Sequence, residues 1–570
     1  MPQQVYQKNC DNLEQLISAQ HKKLRGIMIA RIVAFFILIM IIAIAIKLFL
    51  FYILFFTLIP LIAFGLLVKK NETEKTNLSL LNHTLSINEN EIACLNGEYS
   101  KFDDGKEFID PNHSYSHDID LFGEKSLFQY LNRTSSQSSK KKLAEFLSNY
   151  ETDKETIINR QKSINELSDK LVWRQEFGSK GMQFKSFENE IKELINWQSE
   201  EIQLFHKQGL WRIILWAVPL IVFSAILAFS FSLISGMILI FFLLAPLSIV
   251  GKYIKTINAQ HRKISSYVDV LKHNNALTEL IEKERFESQI LGNIKSKLIV
   301  GNKSASNEIG KLALITQQLD NRSNPVFAFL MNSLFLWDLQ YLYKLKNWLN
   351  SNQGELKNWF DSVNEMEVFI SLSNFHYNHP DFCLPNISTH TILETKEIGH
   401  PLLNAESRID NNFELNGLQE FVIITGANMA GKSTFLRTIG TNLVLAMSGT
   451  KVCASEFNFS PLPLFTSMRT SDSLSDNESY FYSELKRLQL IVEKLKKGDT
   501  IATSSFSRFP PKIMIGRVIK KMEGGAGSGS RYKIKLGTNF KKLDFVYVVV
   551  DEVNVERKIL EDSLEVSDNE

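Results

Sequence analysis

Long uncharged runs alternate with polar stretches along this chain, and the runs come in two pairs. Leu48 to Val68 is 21 residues without a charge, enough to cross a hydrocarbon core that needs about 20. Ile32 to Ile46, just before it, is also uncharged. That run reaches spanning length if it starts near Gly26, with Arg31 snorkelling to the interface. Lys47 separates the two, and a Lys at the bilayer centre costs roughly 3 kcal/mol, so it belongs in a hairpin turn. Ile213 to Gly251, 39 residues without a charge, suits two further spans joined near Ser230-Phe231-Ser232. The pattern predicts four transmembrane helices in two hairpins. Buried core helices are the alternative, and two doublets of this length do not fit a soluble core of this size.

The flanks set the orientation. Lys22, Lys23 and Arg25 precede the first pair, and Lys69 and Lys70 follow it. His206, Lys207 and Arg212 precede the second, and Lys252, Lys255, Arg262 and Lys263 follow it. The hairpin tips carry almost no positive charge, so positive-inside reasoning puts both termini and the polar regions in the cytoplasm. A multi-pass protein of the inner (cytoplasmic) membrane is the expectation.

Between the pairs the polar sequence is mostly helical in pattern, including amphipathic stretches from Asp118 through Phe146 to Leu167. Residues 256–375 continue with long helical periodicity, interrupted only by Pro325, which suggests levers or a bundle. From Pro380 to Pro401 the texture changes to short β-type runs and turns. A predicted strand, Glu420 to Thr425, then opens into a glycine loop.

That loop is Gly426, Ala427, Asn428, Met429, Ala430, Gly431, Lys432, Ser433 and Thr434, followed by a helix predicted over 433–445. Strand, glycine loop, Lys-Ser and helix in this order is the context a phosphate-binding loop requires. Backbone N–H groups of 427–433 can wrap phosphates, and the helix N-terminus adds its positive end. Lys432 is placed to neutralise the β- and γ-phosphates, and Ser433 to ligate Mg²⁺. ATP with Mg²⁺ is the cofactor pair this predicts. A glycine turn that merely packs a helix on a sheet does not explain the Lys-Ser pair.

Composition adds limits. At 570 residues the chain is long enough for three or four domains. A formal net charge of +2 neither demands nor excludes nucleic acid. Cys10, Cys94, Cys383 and Cys453 lie far apart without metal-type spacing, which points to reduced thiols in a cytosolic body.

The stretch from Thr425 to Gly440, with Asn428 and Met429 inside the loop, resembles the ATPase of the MutS family. Gly399 to Leu403, Asp120 to Gly123 and Asn159-Arg160-Gln161 are similar to that family's core and lever elements. Leu464 to Leu474 and Asn477 to Leu488 resemble its signature region, which in the family crosses a dimer interface to the partner's nucleotide. The resemblance, over roughly residues 75–498, implies a homodimer through the ATPase heads. It also implies that Ser479 touches the γ-phosphate in trans. Without the family, 477–495 is an amphipathic helix with an Asn/Ser cap. No Gly-x-Phe-x-Glu wedge lies near the N-terminus, so mismatch reading does not carry over. DNA binding by lever and clamp helices is left open.

A P-loop ATPase also needs a second strand ending in Asp-Glu, which in the family begins near Asp499-Thr500. From Ile501 to Val550 the only carboxylates are Glu523 and Asp544, and neither ends an apolar strand. Asp551 and Glu552 do end an apolar strand pattern, but 119 residues after Lys432, far beyond the family spacing. They remain weak candidates for the catalytic acids. The stretches Asp499 to Ile519 and Arg531 to Val549 instead resemble the C-terminal β-domain of the rod-shape protein MreC. Alternation at Ile513 and Ile515 and at Tyr532, Ile534 and Leu536 supports strands there, with Gly524 to Ser530 as a loop. That domain normally lies outside the inner membrane, against the positive-inside count. A chimera joined near Lys497 to Thr500 is the reading that reconciles the halves.

The expected organisation is multidomain: an N-terminal segment 1–25, transmembrane hairpin 26–68, helical MutS-like core 69–208, second hairpin 209–251, and lever and core helices 252–388. A truncated α/β P-loop ATPase domain, 389–498, and a small β-rich tail, 499–570, complete it. The function expected is a membrane-anchored MutS-like ATP-binding protein with impaired hydrolysis. The alternative is a non-enzymatic membrane scaffold with a cell-shape tail.

Overall fold

The computed structural model describes residues 1–47, 57–183, 193–197, 205, 208–301, 303–388, 393–415, 422, 424–425, 430–466, 500–502, 514–522 and 531–536. The chain divides into two compact units, residues 1–110 with 119–464, and residues 111–118 with 465–570.

The first unit is mostly helical. Helix α1 (Pro2–Lys47) runs unbroken into the first apolar run, and α2 (Leu58–Leu95) returns antiparallel beside it. Gln3 meets Asn96, Asn9 meets Asn88, Lys23 pairs with Glu74 at 2.6 Å, and Phe35 lies against Phe64. Residues 1–25 are therefore part of one long helix, whose less exposed face carries Tyr6, Cys10, Leu13, Ile17 and Leu24 and which also meets α2 through amide and ionic contacts.

Four short helices follow: α3 (Leu127–Leu131), α4 (Gln137–Ser148), α5 (Lys154–Asp169) and α6 (Leu171–Met182). Side-chain oxygens of Ser126, Ser136 and Asp153 accept the first free N–H groups of α3, α4 and α5 and so fix where each begins. The helical pattern read from Asp118 onward is interrupted because Asp120, Gly123 and Lys125 all take positive φ, which helical backbone excludes.

The second apolar pair is α7 (Gln208–Ser230) and α8 (Gly236–Ser265), with Ser232 at φ 58° in the turn. The break falls where the sequence placed it. Among the described residues, three helices are long and apolar enough to cross a membrane, over Pro2–Ile44, Gly209–Ser230 and Gly236–Ser265. The span expected over Leu48 to Val68 lies partly outside the described residues, and α2 takes up its apolar end.

Then come α9 (Val268–Lys283), α10 (Gln289–Leu298), the small hairpin β1 (Ile299–Val300) and β2 (Lys303–Ser304), α11 (Ala305–Asp320), α12 (Pro325–Phe335), α13 (Trp337–Ser351) and α14 (Glu355–Asn378). Helix α14 is the hub, burying Leu356, Phe360, Met366, Phe369 and Leu372 together with a polar row that includes Glu367, Ser371 and Asn378. That row is satisfied from other elements. Ser135 donates its N–H to Glu367 at 2.9 Å, while Asn374 and Asn378 donate to Glu91 of α2 at 2.6 and 2.8 Å. Glu91 also pairs with Arg133, whose guanidinium lies 3.6 Å from the Phe102 ring centroid. At the far N-terminus the Tyr6 hydroxyl donates to Asn378 at 2.8 Å, docking α1 onto the hub.

A four-stranded sheet closes the unit: β3 (Asn386–Ile387), β4 (Leu393–Ile398), β5 (Asn411–Leu415) and, after helix α15 (Lys432–Ser448), β6 (Glu456–Phe459). The order is β3-β6-β4-β5, with β3 and β6 parallel and the other pairs antiparallel. Val422, Ile424 and Thr425, expected within a strand over 420–425, lie outside any strand, and Val422 is 50% exposed. A phosphate-loop strand holds its form by ladder bonds to neighbours. The loop residues Gly426 to Met429, together with Ser479, Asp551 and Glu552, lie outside the described residues, as does the predicted 524–530 loop.

In the second unit, Thr466 donates its N–H to the Ser114 carbonyl at 2.9 Å and its hydroxyl to Asp118 at 2.7 Å. Its strands β7 (Thr500–Ala502), β8 (Met514–Met522) and β9 (Arg531–Leu536) form an antiparallel meander, with Thr500 opposite Arg517 and Met522 opposite Arg531.

Candidate nucleotide site and its supports

Helix α15 begins at Lys432 because Gly431, at φ 84°, turns the chain in a left-handed geometry that few other residues adopt. No side chain caps this end, and its first turn holds no acidic residue. Ser433 and Thr434 are exposed and Lys432 is half-buried. A 17-residue helix thus presents uncapped N–H groups, its positive end and a lysine at one point. That donor set fits a polyphosphate: it supplies hydrogen-bond donors and positive charge, with no acidic side chain in the helix's first turn to repel an anion.

The helix is held along its length by segments remote in sequence. Near its start, Phe413 of β5 meets the Phe435 ring edge-on, at 5.8 Å between centroids. One turn on, Arg437 pairs with Asp120 at 2.8 Å. Gly440 leaves room for Ile119, since a Cβ there would stand 2.9 Å from the Ile119 methyl.

Asn442, fully buried, is the central latch. Its amide donates to the carbonyls of Gly399 (3.0 Å) and Thr438 (2.8 Å), and its oxygen accepts the Cys453 N–H at 2.8 Å. Gly399 in turn donates its N–H to the Cys453 carbonyl at 2.8 Å. The helix, the Gly399-His400-Pro401 loop and the approach to β6 are thereby locked together. His400 beside this latch is pushed down to about 4, first by burial and then by the Arg437 charge.

At the C-terminal end, Gly449 turns the chain at φ 83°, and Arg160 donates to the Met447 carbonyl at 3.1 Å. Arg160 also spans to Glu151 at 3.3 Å and lies 4.1 Å from the Phe146 ring centroid. Its neighbour Gln161 donates to the Pro385 carbonyl at 2.8 Å. A cation at a helix C-terminus complements the partial negative charge of the free carbonyls.

Three segments singled out from the sequence therefore converge on one helix: Asp120 near its first turns, Gly399 at its middle and Arg160 at its end. Asn442, Glu91 and Asn378 were missed. A lone asparagine between Thr441 and Leu443 in an apolar helix was the available signal for Asn442. Glu91 carries no local signal, because its partners stand 42 to 287 positions away. All four cysteines are free thiols.

A helix opened by Gly-Lys-Ser-Thr, latched to a His-Pro loop and to a helical core, defines a class that family comparison resolves. Residues 422–502 match MutS domain V, and residues 465–550 match the barrel core of the rod shape-determining protein MreC. Over its ATPase-type segment the chain is similar to the MutS family. The two matches overlap on 465–502, so the MreC likeness begins ahead of the boundary at 499 read from the sequence.

Among curated relatives, the DNA mismatch repair protein MutS of Finegoldia magna is 27% identical over 272 residues, 43% of this chain and 32% of that protein. MutS of Chlorobium phaeovibrioides is 31% identical over 133 residues, 22% of this chain and 15% of that one. Human MutS protein homolog 4 is 31% identical over 156 residues, 26% of this chain and 16% of its own length. The chain thus spans about a third or less of the length of these relatives.

Proposed function

We propose that this chain is a membrane-anchored MutS-type ATP-binding protein whose hydrolysis is impaired. The observation that carries the reading is the start of α15, where N–H groups without a side-chain cap, Lys432 and Ser433 meet and the helix's own first turn holds no acid. Residues 426–434 are the proposed nucleotide loop. Lys432 neutralises the β- and γ-phosphates, the Ser433 hydroxyl holds Mg²⁺, and bound ATP supplies a transferable γ-phosphoryl group. Two hairpins, four spans in all, hold the body on the cytoplasmic face of the membrane. A homodimer through the heads brings Ser479 to the partner's nucleotide. DNA is the partner that the relatives' names suggest for the helical arms.

Impaired hydrolysis follows from the absence of an Asp-Glu strand where the family spacing puts it. The test is ATP binding and turnover by purified full-length protein in lipid. Binding without turnover, abolished by Lys432→Ala, is the expected result. Robust hydrolysis by the unmodified chain overturns the impairment, and loss of that hydrolysis in Asp551→Asn would identify the displaced acid. Failure to bind ATP at all overturns the nucleotide reading.

The antiparallel meander β7–β9 within the MreC match favours a second reading, a membrane scaffold whose tail binds cell-shape partners. A fusion joined near residues 497–500 accommodates both. Long sequencing reads across those codons in several isolates distinguish a true fusion from an assembly artefact.

A further inference from the structure

Helix α12 (Pro325–Phe335) is built inside out. Its protein-facing side carries Asn332 and Ser333, both buried, whereas Val326, Phe329 and Leu330 are 68%, 55% and 51% exposed. Positions i, i+3 and i+4 lie on one helix face, so the outward stripe is wholly apolar. Water-soluble helices show the opposite arrangement.

Its position is as telling as its polarity. Helix α12 packs against both α7 and α8, the second apolar pair. Phe335 meets Phe223 with ring centroids 5.9 Å apart. Phe223 lies 11 residues beyond Arg212, about 16 Å along the helix and near half the thickness of a hydrocarbon core. Gln340, just past α12, donates to the Leu215 carbonyl at 3.2 Å, and Lys346 donates to the Phe205 carbonyl at 3.1 Å. Helix α13 therefore descends along α7 as the chain leaves α12.

The two ends of α12 are fastened to each other at one level. Arg322 before it pairs with Asp338 after it at 3.2 Å, and the Trp337 indole donates to the Gln318 carbonyl at 3.0 Å. Asp320 on the entry side meets His261 at 2.8 Å, beyond the basic residues that end the apolar run of α8. Entry and exit thus lie on the same side, and an 11-residue apolar helix is too short to span.

We propose that Pro325–Phe335 is a re-entrant helix whose Val326, Phe329 and Leu330 face lies in the acyl chains of the cytoplasmic leaflet, beside the second hairpin. Asn324 and Pro325 start the helix at the interface, since Asn324 accepts the N–H groups of Val326 and Phe327. Asn332 satisfies the exit turn by accepting the Asp338 N–H at 3.0 Å. Trp337 and Tyr341, with ring centroids 4.7 Å apart, stand where interfacial aromatics gather. The helix inserts the head-bearing core into the membrane at a third place, so that α11 and α13 are anchored as well as the hairpins. The inference rests on the membrane reading above, and the test separates the two.

The full-length variants Phe329→Cys, Trp216→Cys and Leu314→Cys are labelled with a nitrobenzoxadiazole probe and reconstituted in phosphatidylcholine–phosphatidylglycerol vesicles, with or without doxyl lipid. Trp216 is 78% exposed on α7 and reports the span, while Leu314, 54% exposed on α11, reports the aqueous side. Unmutated protein treated alike sets the background from native thiols. The expected result is doxyl quenching at Phe329 several-fold above that at Leu314 and close to that at Trp216. A Phe329 label quenched by aqueous iodide instead, with Trp216 still lipid-quenched, overturns the re-entrant helix and leaves the hairpin standing. Shielding of Phe329 from both quenchers places a protein there, such as a second copy, and equally overturns it. No lipid quenching at Trp216 overturns the membrane reading itself.

Discussion

The Arg160 guanidinium donates to the Met447 carbonyl at 3.1 Å, so a side chain from α5 caps the last turn of a helix 287 positions away. The same contact closes on Gly449, where an added Cβ would stand 2.6 Å from the Arg160 Cβ and 3.1 Å from the Gln161 backbone nitrogen. The end of α15 is thus shaped to the Asn159-Arg160-Gln161 turn and to no side chain of its own.

Arg160→Ala removes a charged hydrogen bond and its stacking on Phe146, a loss of roughly 1.5–3 kcal/mol. Gly449→Ala adds left-handed strain of about 1–2 kcal/mol and a clash of about 1–3 kcal/mol. Both variants are expected to lower the thermal midpoint, with Gly449→Ala at least as damaging. The pair measured together should fall short of the sum, because they disturb one contact. Full additivity in a double-mutant cycle would show that the two residues do not act on each other.

Tyr6 tests whether the N-terminal helix belongs to the core. Tyr6→Phe keeps the ring against Tyr377 and deletes the hydroxyl bonded to Asn378, a loss of about 1 kcal/mol. Tyr6→Ala also empties a fully buried site, which for a large aromatic costs roughly 3–5 kcal/mol. Limited trypsin digestion in vesicles reads the result at Lys8, Lys22 and Lys23. Cleavage should be slow in the native chain, modestly faster in Tyr6→Phe and fast in Tyr6→Ala. Equal rates in all three would mean that α1 is not docked.

Histidines give the core an acid limit. Burial pushes His376 and His400 down to about 4, and His379 down to about 3, with Lys451 and Arg408 adding to the effect at His379. In the unfolded chain each returns to roughly 6.5, so below that pH the unfolded state binds more protons than the folded one. The stability these groups contribute is therefore complete above about pH 6.5. It is lost progressively as pH falls toward about 4. Thermal midpoints of reconstituted protein should be level from pH 8 to about 7 and then decline. His400→Gln should make the decline shallower, and an unchanged slope would exclude His400 from the effect.

Sequence patterns located what depends on local order. The Gly431-Lys432-Ser433 helix start, the break between α7 and α8 and the strands around Ile515 and Ile534 are written in neighbouring residues, and the fold has them. The strand expected at 420–425 lies partly outside the described residues, and Val422, Ile424 and Thr425 are not in a strand. Residues 1–25 continue the first apolar run as one helix, and the spacing of Tyr6, Cys10, Leu13, Ile17 and Leu24 is the signal for it that the uncharged-run pattern does not use. Gln20 and Lys23 meet Glu74, more than 50 positions away, which no local pattern announces. The inverted polarity of α12 was likewise invisible until burial was known, since an apolar helix among lever helices reads as core.

Asn442 offers the sharpest test of how the candidate site is built. Its three hydrogen bonds join α15, the Gly399 loop and Cys453, and none reaches water. In Asn442→Leu the volume is nearly kept, but the Gly399 carbonyl and the Cys453 N–H lose their partner in a buried place. Each such orphan costs roughly 1–3 kcal/mol, so the variant is expected to be destabilised more than Arg160→Ala. Asn442→Asp keeps an acceptor for Cys453 but turns an oxygen toward the Gly399 carbonyl and buries a charge, so it should be no better. Beyond stability, the loop that Asn442 holds lies beside Arg437 and β4, next to the helix whose start is the proposed phosphate cradle. Nucleotide affinity should therefore fall in Asn442→Leu even below its melting range, while Tyr6→Phe, remote from α15, leaves affinity unchanged. Fluorescent ATP-analogue titration at 10 °C below the lower thermal midpoint separates the two effects. Equal affinity in both variants would mean that the latch supports the fold alone and does not position the cradle.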